Sequence, residues 1–73
     1  MNTRVTWDRS ADAAYISLKE ISPGESSRQC VVDCADIAAT IVLDVDRKGR
    51  LIGIEVIGAV QGLPDEVLRA AEL

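Results

Sequence analysis

Two apolar, β-patterned segments joined by a short turn constrain this sequence more than any other feature. Residues 37–45 and 51–57 flank the tetrapeptide Asp46-Arg47-Lys48-Gly49. Aspartate is favoured at the first position of a type I turn, and glycine readily adopts the left-handed conformation that closes such a hairpin. The pattern therefore predicts an antiparallel β-hairpin with strands over Ile37–Val45 and Leu51–Ile57.

Shorter segments with similar patterning predict the rest of the sheet. Apolar and polar residues alternate in Arg4–Asp8 and in Ala13–Glu20, and Asp and Ser side chains between them favour a tight turn. A third strand is predicted over Arg28–Asp33, after the Ser-, Pro- and Gly-containing loop Ser22–Ser27. These segments bring the predicted total to about five strands.

The last residues change from a strand pattern to a helix pattern. Gly58–Gly62 is predicted to be a linker, and Pro64 followed by two acidic residues marks the first turn of a helix. The fold class is therefore α+β, a small antiparallel β-sheet of about four to five strands with a C-terminal helix packed on it. We expect a single domain over 1–73, with a β-hairpin in 1–20, a β-meander in 28–57 and the helix in 63–72.

Composition argues against several classes of function. The chain has 8 Lys+Arg, 12 Asp+Glu and a formal net charge of -4, which opposes binding to nucleic acid. It contains no His, and Cys30 and Cys34 alone are too few for a structural zinc site or a disulfide framework. No apolar run approaches the ~20 residues of a membrane span. We therefore expect no metal, no cofactor and no membrane partner, and a cytoplasmic protein with reduced thiols.

Four residues are weak candidates for a binding site: Asp12, Tyr15, Asp44 and Glu55. Carboxylates transfer protons usefully only where a cavity positions a substrate, and a chain this small leaves little room for one. No nucleophile elbow and no glycine-rich phosphate loop is present, so no catalytic residue is assigned. The span from Asp44 to Glu55 has the spacing of a calcium-binding loop, but its flanks are predicted strands rather than helices. No metal site is predicted.

The environment of Glu55 depends on the hairpin register, which the sequence leaves open. If the glycine of the turn closes a three-residue loop, Ile41 faces Glu55, and the acid shares a face with apolar side chains. If apolar alternation sets the register, the pairing slips by one residue, and Glu55 joins Val42 or Thr40 beside Asp44. Such a slip moves every side chain to the other face, so the two registers exclude each other.

Gly53 stands out inside a strong strand, because glycine there usually marks a bulge or the close approach of another group. We predict that Tyr15 or Trp7 lies flat across Gly53. Glu55, the acid two residues later, then accepts a hydrogen bond from that neighbour or from an arginine. This reasoning predicts a structural rather than a catalytic role for Glu55.

Two blocks of sequence resemble a known family. The segment Trp7–Leu18, with its Ala-Asp-Ala-x-Tyr-Ile-x-Leu core, is similar to the opening of the prokaryotic domain of unknown function 2283. The segment Val42–Glu55 resembles the second hallmark of that family, a hairpin of the form LDxDxxGxxxGIE. The departures are mild: Trp7 replaces the usual Tyr, Ala14 the usual Leu and Val45 the usual aromatic residue.

The resemblance implies a compact antiparallel sheet with helical elements in a bacterial or archaeal protein. It implies no established activity and no catalytic residues. It also suggests a small protein of a kind sometimes encoded beside toxin-like genes.

Three functional hypotheses follow. The first is a non-enzymatic protein-interaction or oligomerisation module, a homodimer or larger oligomer, because Ile37–Leu43 and Leu51–Ile57 carry apolar residues at both odd and even positions. The second is an antitoxin-like or accessory subunit, since the net charge of -4 favours a basic protein partner. The third is a small hydrolase or ligand-binding protein with an acidic site at an oligomer interface. Its candidate residues are Asp12, Tyr15, Asp44 and Glu55.

Overall fold

The computed structural model describes residues 3–72 and contains one five-stranded sheet and two short helices. The strands are β1 (Arg4–Asp8), β2 (Ala13–Ser17), β3 (Arg28–Val32), β4 (Thr40–Val45) and β5 (Leu51–Ile57), and the helices are α1 (Ala59–Gly62) and α2 (Asp65–Ala70). All neighbouring strands are antiparallel, in the order β1-β2-β5-β4-β3. The predicted α+β class is therefore confirmed.

The element boundaries differ from the predictions in five places. Two strands end earlier than predicted, β2 at Ser17 rather than Glu20 and β3 at Val32 rather than Asp33. Residues 58–62, predicted as a linker, contain the short helix α1, which the left-handed Gly58 precedes. The C-terminal helix spans Asp65–Ala70 rather than 63–72, since Pro64 and Ala71 are both extended. The strand predicted from Ile37 begins only at Thr40. Apart from α1, which is an additional element, these differences arise at element ends, where local patterning is weakest.

The two helices cover one face of the sheet. Ala14 and Val56 from the central strands pack with Ala59 of α1 and Leu68 of α2, and these four residues form the buried core cluster. Partly buried apolar side chains surround this cluster: Trp7, Ala39, Ile41, Ile54 and Leu63. The core is small, so a large share of its stabilisation comes from a few side chains on a single face.

The opposite face of the sheet, here called the open face, is assigned by the strand registers. Across the five strands it presents one row of Thr6, Tyr15, Glu55, Val42 and Val31, and a second row of Arg4, Ser17, Gly53, Asp44 and Gln29. Within residues 3–72, no helix covers this face. It mixes apolar side chains, such as Val42 and Val31, with polar ones.

A β-bulge resolves the register of the β4–β5 hairpin. Next to the turn, Val45 faces Leu51, as expected if the glycine closes a three-residue loop. One residue further, the register shifts, so that Asp44 faces Gly53 and Val42 faces Glu55. The two alternative registers therefore both occur, each on its own side of the bulge, and the expectation that they exclude each other is wrong. Glu55 consequently lies on the open face and not on the helix-covered face.

The turn of this hairpin is held by Asp46. Its Oδ1 accepts hydrogen bonds from the backbone N–H groups of Lys48 and Arg50, both at 2.9 Å, and its Oδ2 accepts one from Arg50 Nε at 2.9 Å. Gly49 adopts a φ of 77°, the left-handed conformation that the turn requires. The backbone hydrogen bonds to Asp46 hold the pKa of its carboxyl below the ordinary value, more strongly than partial burial raises it.

Candidate functional site

Tyr15 and Asp44 are joined by a hydrogen bond that crosses the central strand on the open face. The Tyr15 hydroxyl on β2 donates to Asp44 Oδ2 on β4 at 2.6 Å. Between these strands lies β5, in which Gly53 stands beside Asp44 and beside Ser17. A Cβ atom at Gly53 would lie 1.9 Å from the Tyr15 hydroxyl oxygen and 2.5 Å from its Cζ. The tyrosine ring therefore occupies the space that the glycine leaves, as predicted.

Asp44 is nearly inaccessible to solvent. The residue is 7% exposed, and its Oδ1 is buried without a hydrogen-bond partner among residues 3–72. Buried carboxylate oxygens are normally hydrogen-bonded, because removal from water costs free energy that only a new partner offsets. The Tyr15 hydroxyl is thus the one side-chain donor that Asp44 has within the described residues.

The surroundings of Tyr15 keep its hydroxyl protonated. Burial raises the pKa of Tyr15 most, the hydrogen bond to Asp44 raises it further, and the nearby charges of Asp44 and Glu55 add to the same direction. A phenol in this environment donates a hydrogen bond at neutral pH. It is poorly suited to act as a phenolate nucleophile or a general base.

Glu55 lies beside this pair without joining it. It faces Tyr15 on β2 and Val42 on β4, and its side chain makes no hydrogen bond within residues 3–72. The predicted hydrogen bond from Tyr15 to Glu55 is therefore wrong, because the hydroxyl reaches past β5 to Asp44. No arginine forms an ion pair with Glu55 within residues 3–72 either: Arg4 pairs with Glu72 at 2.7 Å, and Arg50 pairs with Asp46.

A groove of about 650 Å³ borders the Tyr15–Asp44 pair. Side chains of the sheet and of the loop between β2 and β3 line it: Arg4, Tyr15, Ser17, Lys19, Glu20, Ile21, Ser26 and Asp44. Lys19 forms an ion pair with Glu25 in the same loop. Sequence reasoning did not place the loop residues beside Asp44, since only the folding of the loop against the sheet brings them there.

Asp12 lies away from the other three candidates and has a structural environment. Its Oδ1 accepts hydrogen bonds from the backbone N–H of Val60 at 3.1 Å and from Trp7 Nε1 at 3.4 Å. Its carbonyl oxygen accepts two more from the N–H groups of Gly58 and Ala59. With a φ of 50°, Asp12 adopts the left-handed conformation that aspartate tolerates better than most residues. It connects the β1–β2 turn to the start of α1.

The candidate residues are not arranged as a metal-binding site. Within residues 3–72, no group of three or more His, Cys, Asp and Glu side chains is arranged to hold a metal ion. The calcium-loop spacing from Asp44 to Glu55 does not produce a loop, because both residues lie in strands and Asp46 bonds its own turn.

Both helices within residues 3–72 are too short to span a membrane.

Comparison with protein families confirms the resemblance seen in the sequence. The family model described as "Protein of unknown function (DUF2283)" matches residues 4–59, well over half of the chain. The match contains β1 to β5, including Tyr15, Gly53 and Asp44, and ends at the first residue of α1. Searches of curated proteins and of solved structures gave no significant match.

Proposed function

We propose that the chain, which belongs to the DUF2283 family, acts as a non-enzymatic protein-interaction module and forms a homodimer in the cytoplasm. The family description assigns no activity, so the proposal is argued from the fold. One observation carries it: both helices pack on the same face of the sheet, no helix covers the other face, and the outer edge of β3 is exposed and without a neighbouring strand within residues 3–72.

The small core supports this proposal. The buried hydrophobic residues are six in number within the described chain: Ala14, Val42, Ile52, Val56, Ala59 and Leu68. Among the large apolar side chains of the described residues, Val31 on β3 is the most exposed, at 70%. A chain of this size gains further stability when a second chain covers such surface.

The chemistry of the open face also favours binding over catalysis. The Tyr15 hydroxyl and Asp44 Oδ2 are hydrogen-bonded to each other, and this bond holds the two side chains in place on the open face. The raised pKa of Tyr15 means that its hydroxyl gives up a proton less readily than an ordinary tyrosine does. These features suit a rigid, shaped surface better than an acid–base pair.

Sedimentation equilibrium on the full chain, from about 5 to 500 µM, tests self-association, because dimers in the micromolar range become populated over this interval. We expect a mass that rises from one chain towards two, together with a melting temperature that rises with protein concentration. A single-chain mass over the whole range would overturn the proposal.

A ligand-binding function is the second candidate, and the Asp44 environment favours it specifically. A buried Oδ1 without a partner lies beside a groove to which Arg4 and Lys19 contribute. Such an atom accepts a hydrogen bond from any donor that reaches it. A screen of small molecules by thermal shift tests this function, with Asp44→Ala as the variant that removes binding, and Glu55→Ala and Asp12→Asn as controls outside the lining of the groove.

An accessory role beside another protein remains a prediction from the charge of -4. No contact within the described residues favours it over self-association.

A further inference from the structure

The two edges of the sheet differ in whether another segment of the chain is hydrogen-bonded to them. At the β1 edge, the N–H of Trp7 donates to the carbonyl oxygen of Glu72 at 2.9 Å, and the N–H of Glu72 donates to Val5 at 2.8 Å. The Glu72 side chain also pairs with Arg4. The end of the described chain therefore closes this edge as a short parallel bridge. Covering an edge in this way protects it from pairing with another chain.

At the other edge, β3 pairs only with β4 and has no neighbour on its outer side within residues 3–72. Along each strand, the backbone N–H and C=O groups of successive residues point alternately to one neighbouring strand and to the other. The hydrogen bond from Leu18 N–H to the carbonyl oxygen of Ile52 shows which residues of β2 and β5 bond to each other. Following the registers across β5 and β4, the backbone groups of Gln29 and Val31 point outward. These residues present two N–H and two C=O groups to a prospective strand.

The side chains of β3 do not discourage such pairing. Every residue from Arg28 to Val31 is exposed, and Val31 is 70% exposed. Residues 29–32 carry no charge and no proline, the two features that commonly protect an edge strand. Arg28 stands at one end of β3, and Asp33 follows its other end. In an antiparallel pair centred on Cys30, Arg28 lies opposite Val32 of the other copy, one residue before its Asp33. The positively charged end of each strand therefore meets the negatively charged end of the other.

We propose that the second copy of the chain binds at the outer edge of β3, antiparallel to it and centred on Cys30, so that the two sheets join into one of ten strands. This inference rests on the proposed self-association and names its surface. Gln29 of each copy exchanges hydrogen bonds with Val31 of the other. Cys30 then faces Cys30 in a non-hydrogen-bonded pair, whose Cα atoms lie ~4.5 Å apart. That separation is within the range of a disulfide.

A pairing of five-residue strands is short, so we expect a weak and reversible dimer with a dissociation constant on the order of tens of micromolar. It adds main-chain hydrogen bonds to an existing sheet, as in other cases of strand addition. Because Cys30 is exposed, its thiol can be oxidised to a disulfide with Cys30 of the second copy when the two β3 strands pair as proposed.

The first test is oxidative cross-linking of the full chain with diamide at about 100 µM, above the expected dissociation constant. Cys34→Ser keeps Cys30 as its single thiol, and Cys30→Ser keeps Cys34. We expect rapid formation of a covalent dimer by the wild type and by Cys34→Ser, and at least a tenfold slower reaction by Cys30→Ser. Equal rates for the two variants would overturn the pairing centred on Cys30.

The second test is sedimentation equilibrium of Val31→Lys, which places a charge on the exposed edge without disturbing the core. Ile57→Lys is the matched control, because Ile57 is also exposed but lies in β5, away from the edge. We expect the dissociation constant of the dimer to rise at least tenfold for Val31→Lys and less than twofold for Ile57→Lys.

The outcomes separate the two proposals. A wild-type chain that stays monomeric overturns both of them. A wild-type dimer that is unaffected by Val31→Lys leaves self-association standing and overturns the β3 edge as its surface.

Discussion

The hydroxyl of Tyr15 donates a 2.6 Å hydrogen bond to Asp44 Oδ2 over the backbone of Gly53, and so links β2 to β4 across the strand that separates them. In most sheets, side-chain pairs connect adjacent strands. Here the missing side chain of one residue allows a contact between second neighbours. The link ties the N-terminal hairpin to the central hairpin on the face that the helices leave uncovered.

Tyr15→Phe should destabilise the fold by about 1–3 kcal/mol, because it leaves the buried Asp44 carboxylate without its side-chain donor. The measurement is urea unfolding at pH 7. Asp44→Asn is the matched background, since a buried neutral amide without a hydrogen-bond partner costs less free energy than a buried carboxylate without one. We expect the cost of Tyr15→Phe to be smaller in that background. Equal costs in both backgrounds would mean that the hydrogen bond contributes little.

Gly53→Ala should destabilise the fold by about 1–3 kcal/mol through steric overlap with the tyrosine ring. The new methyl group would lie 1.9 Å from the Tyr15 hydroxyl oxygen, so the ring must leave its position and lose Asp44. The same substitution in a Tyr15→Ala background should cost far less, because the obstacle is gone. A cost that persists there would point to the backbone of β5 instead.

The pKa of Tyr15 should lie above the ordinary value of 10.0 in the folded protein. The chain has one tyrosine, so absorbance near 295 nm during an alkaline titration reports this group alone. Asp44→Asn should lower the pKa of Tyr15, since it removes a negative charge beside the hydroxyl. A titration at the ordinary value in both proteins would contradict the burial of the hydroxyl.

The same shift sets a direction for alkaline stability. A group whose pKa is raised on folding binds its proton more tightly in the folded state than in the unfolded state. The stabilisation from Tyr15 is therefore fully present below pH 10 and is lost as the pH rises from there through the raised pKa of the folded state. Unfolding free energies measured from pH 8 upward should fall beyond pH 10 more steeply for the wild type than for Tyr15→Phe.

Asp12→Ala should destabilise the fold by about 1–3 kcal/mol, because it removes the acceptor of the Val60 N–H and places alanine at a positive φ. Asp12→Asn keeps a side-chain oxygen and tolerates the left-handed conformation, so its cost should be clearly smaller. Thermal unfolding followed by Trp7 fluorescence checks both variants, since the indole Nε1 also donates to Asp12. Similar melting temperatures for the two variants would mean that the contact with α1 is unimportant.

Local patterns predicted the strands and the close approach of a side chain to Gly53. The costly glycine at position 53 indicated that a side chain lies across β5, and Tyr15 was one of the two candidates. The acceptor was predicted as Glu55, the nearest acid on that strand, but the hydroxyl reaches Asp44 on the next strand. Asp12 is a candidate because it is acidic, yet its hydrogen-bond partners are Val60 in α1 and Trp7 in β1, and neither lines the groove beside Asp44.

The sequence by itself determined the five strands, the Asp46–Gly49 turn and the family, because alternation, turn residues and motif spacing act over a few neighbouring residues. Tertiary structure alone decided the bulge between Asp44 and Val45, which turns Glu55 away from the helix-covered face. It also decided that Glu72 closes the β1 edge while β3 stays exposed. These features depend on which distant residues are buried together, and the free energy of that burial is shared over the whole sheet.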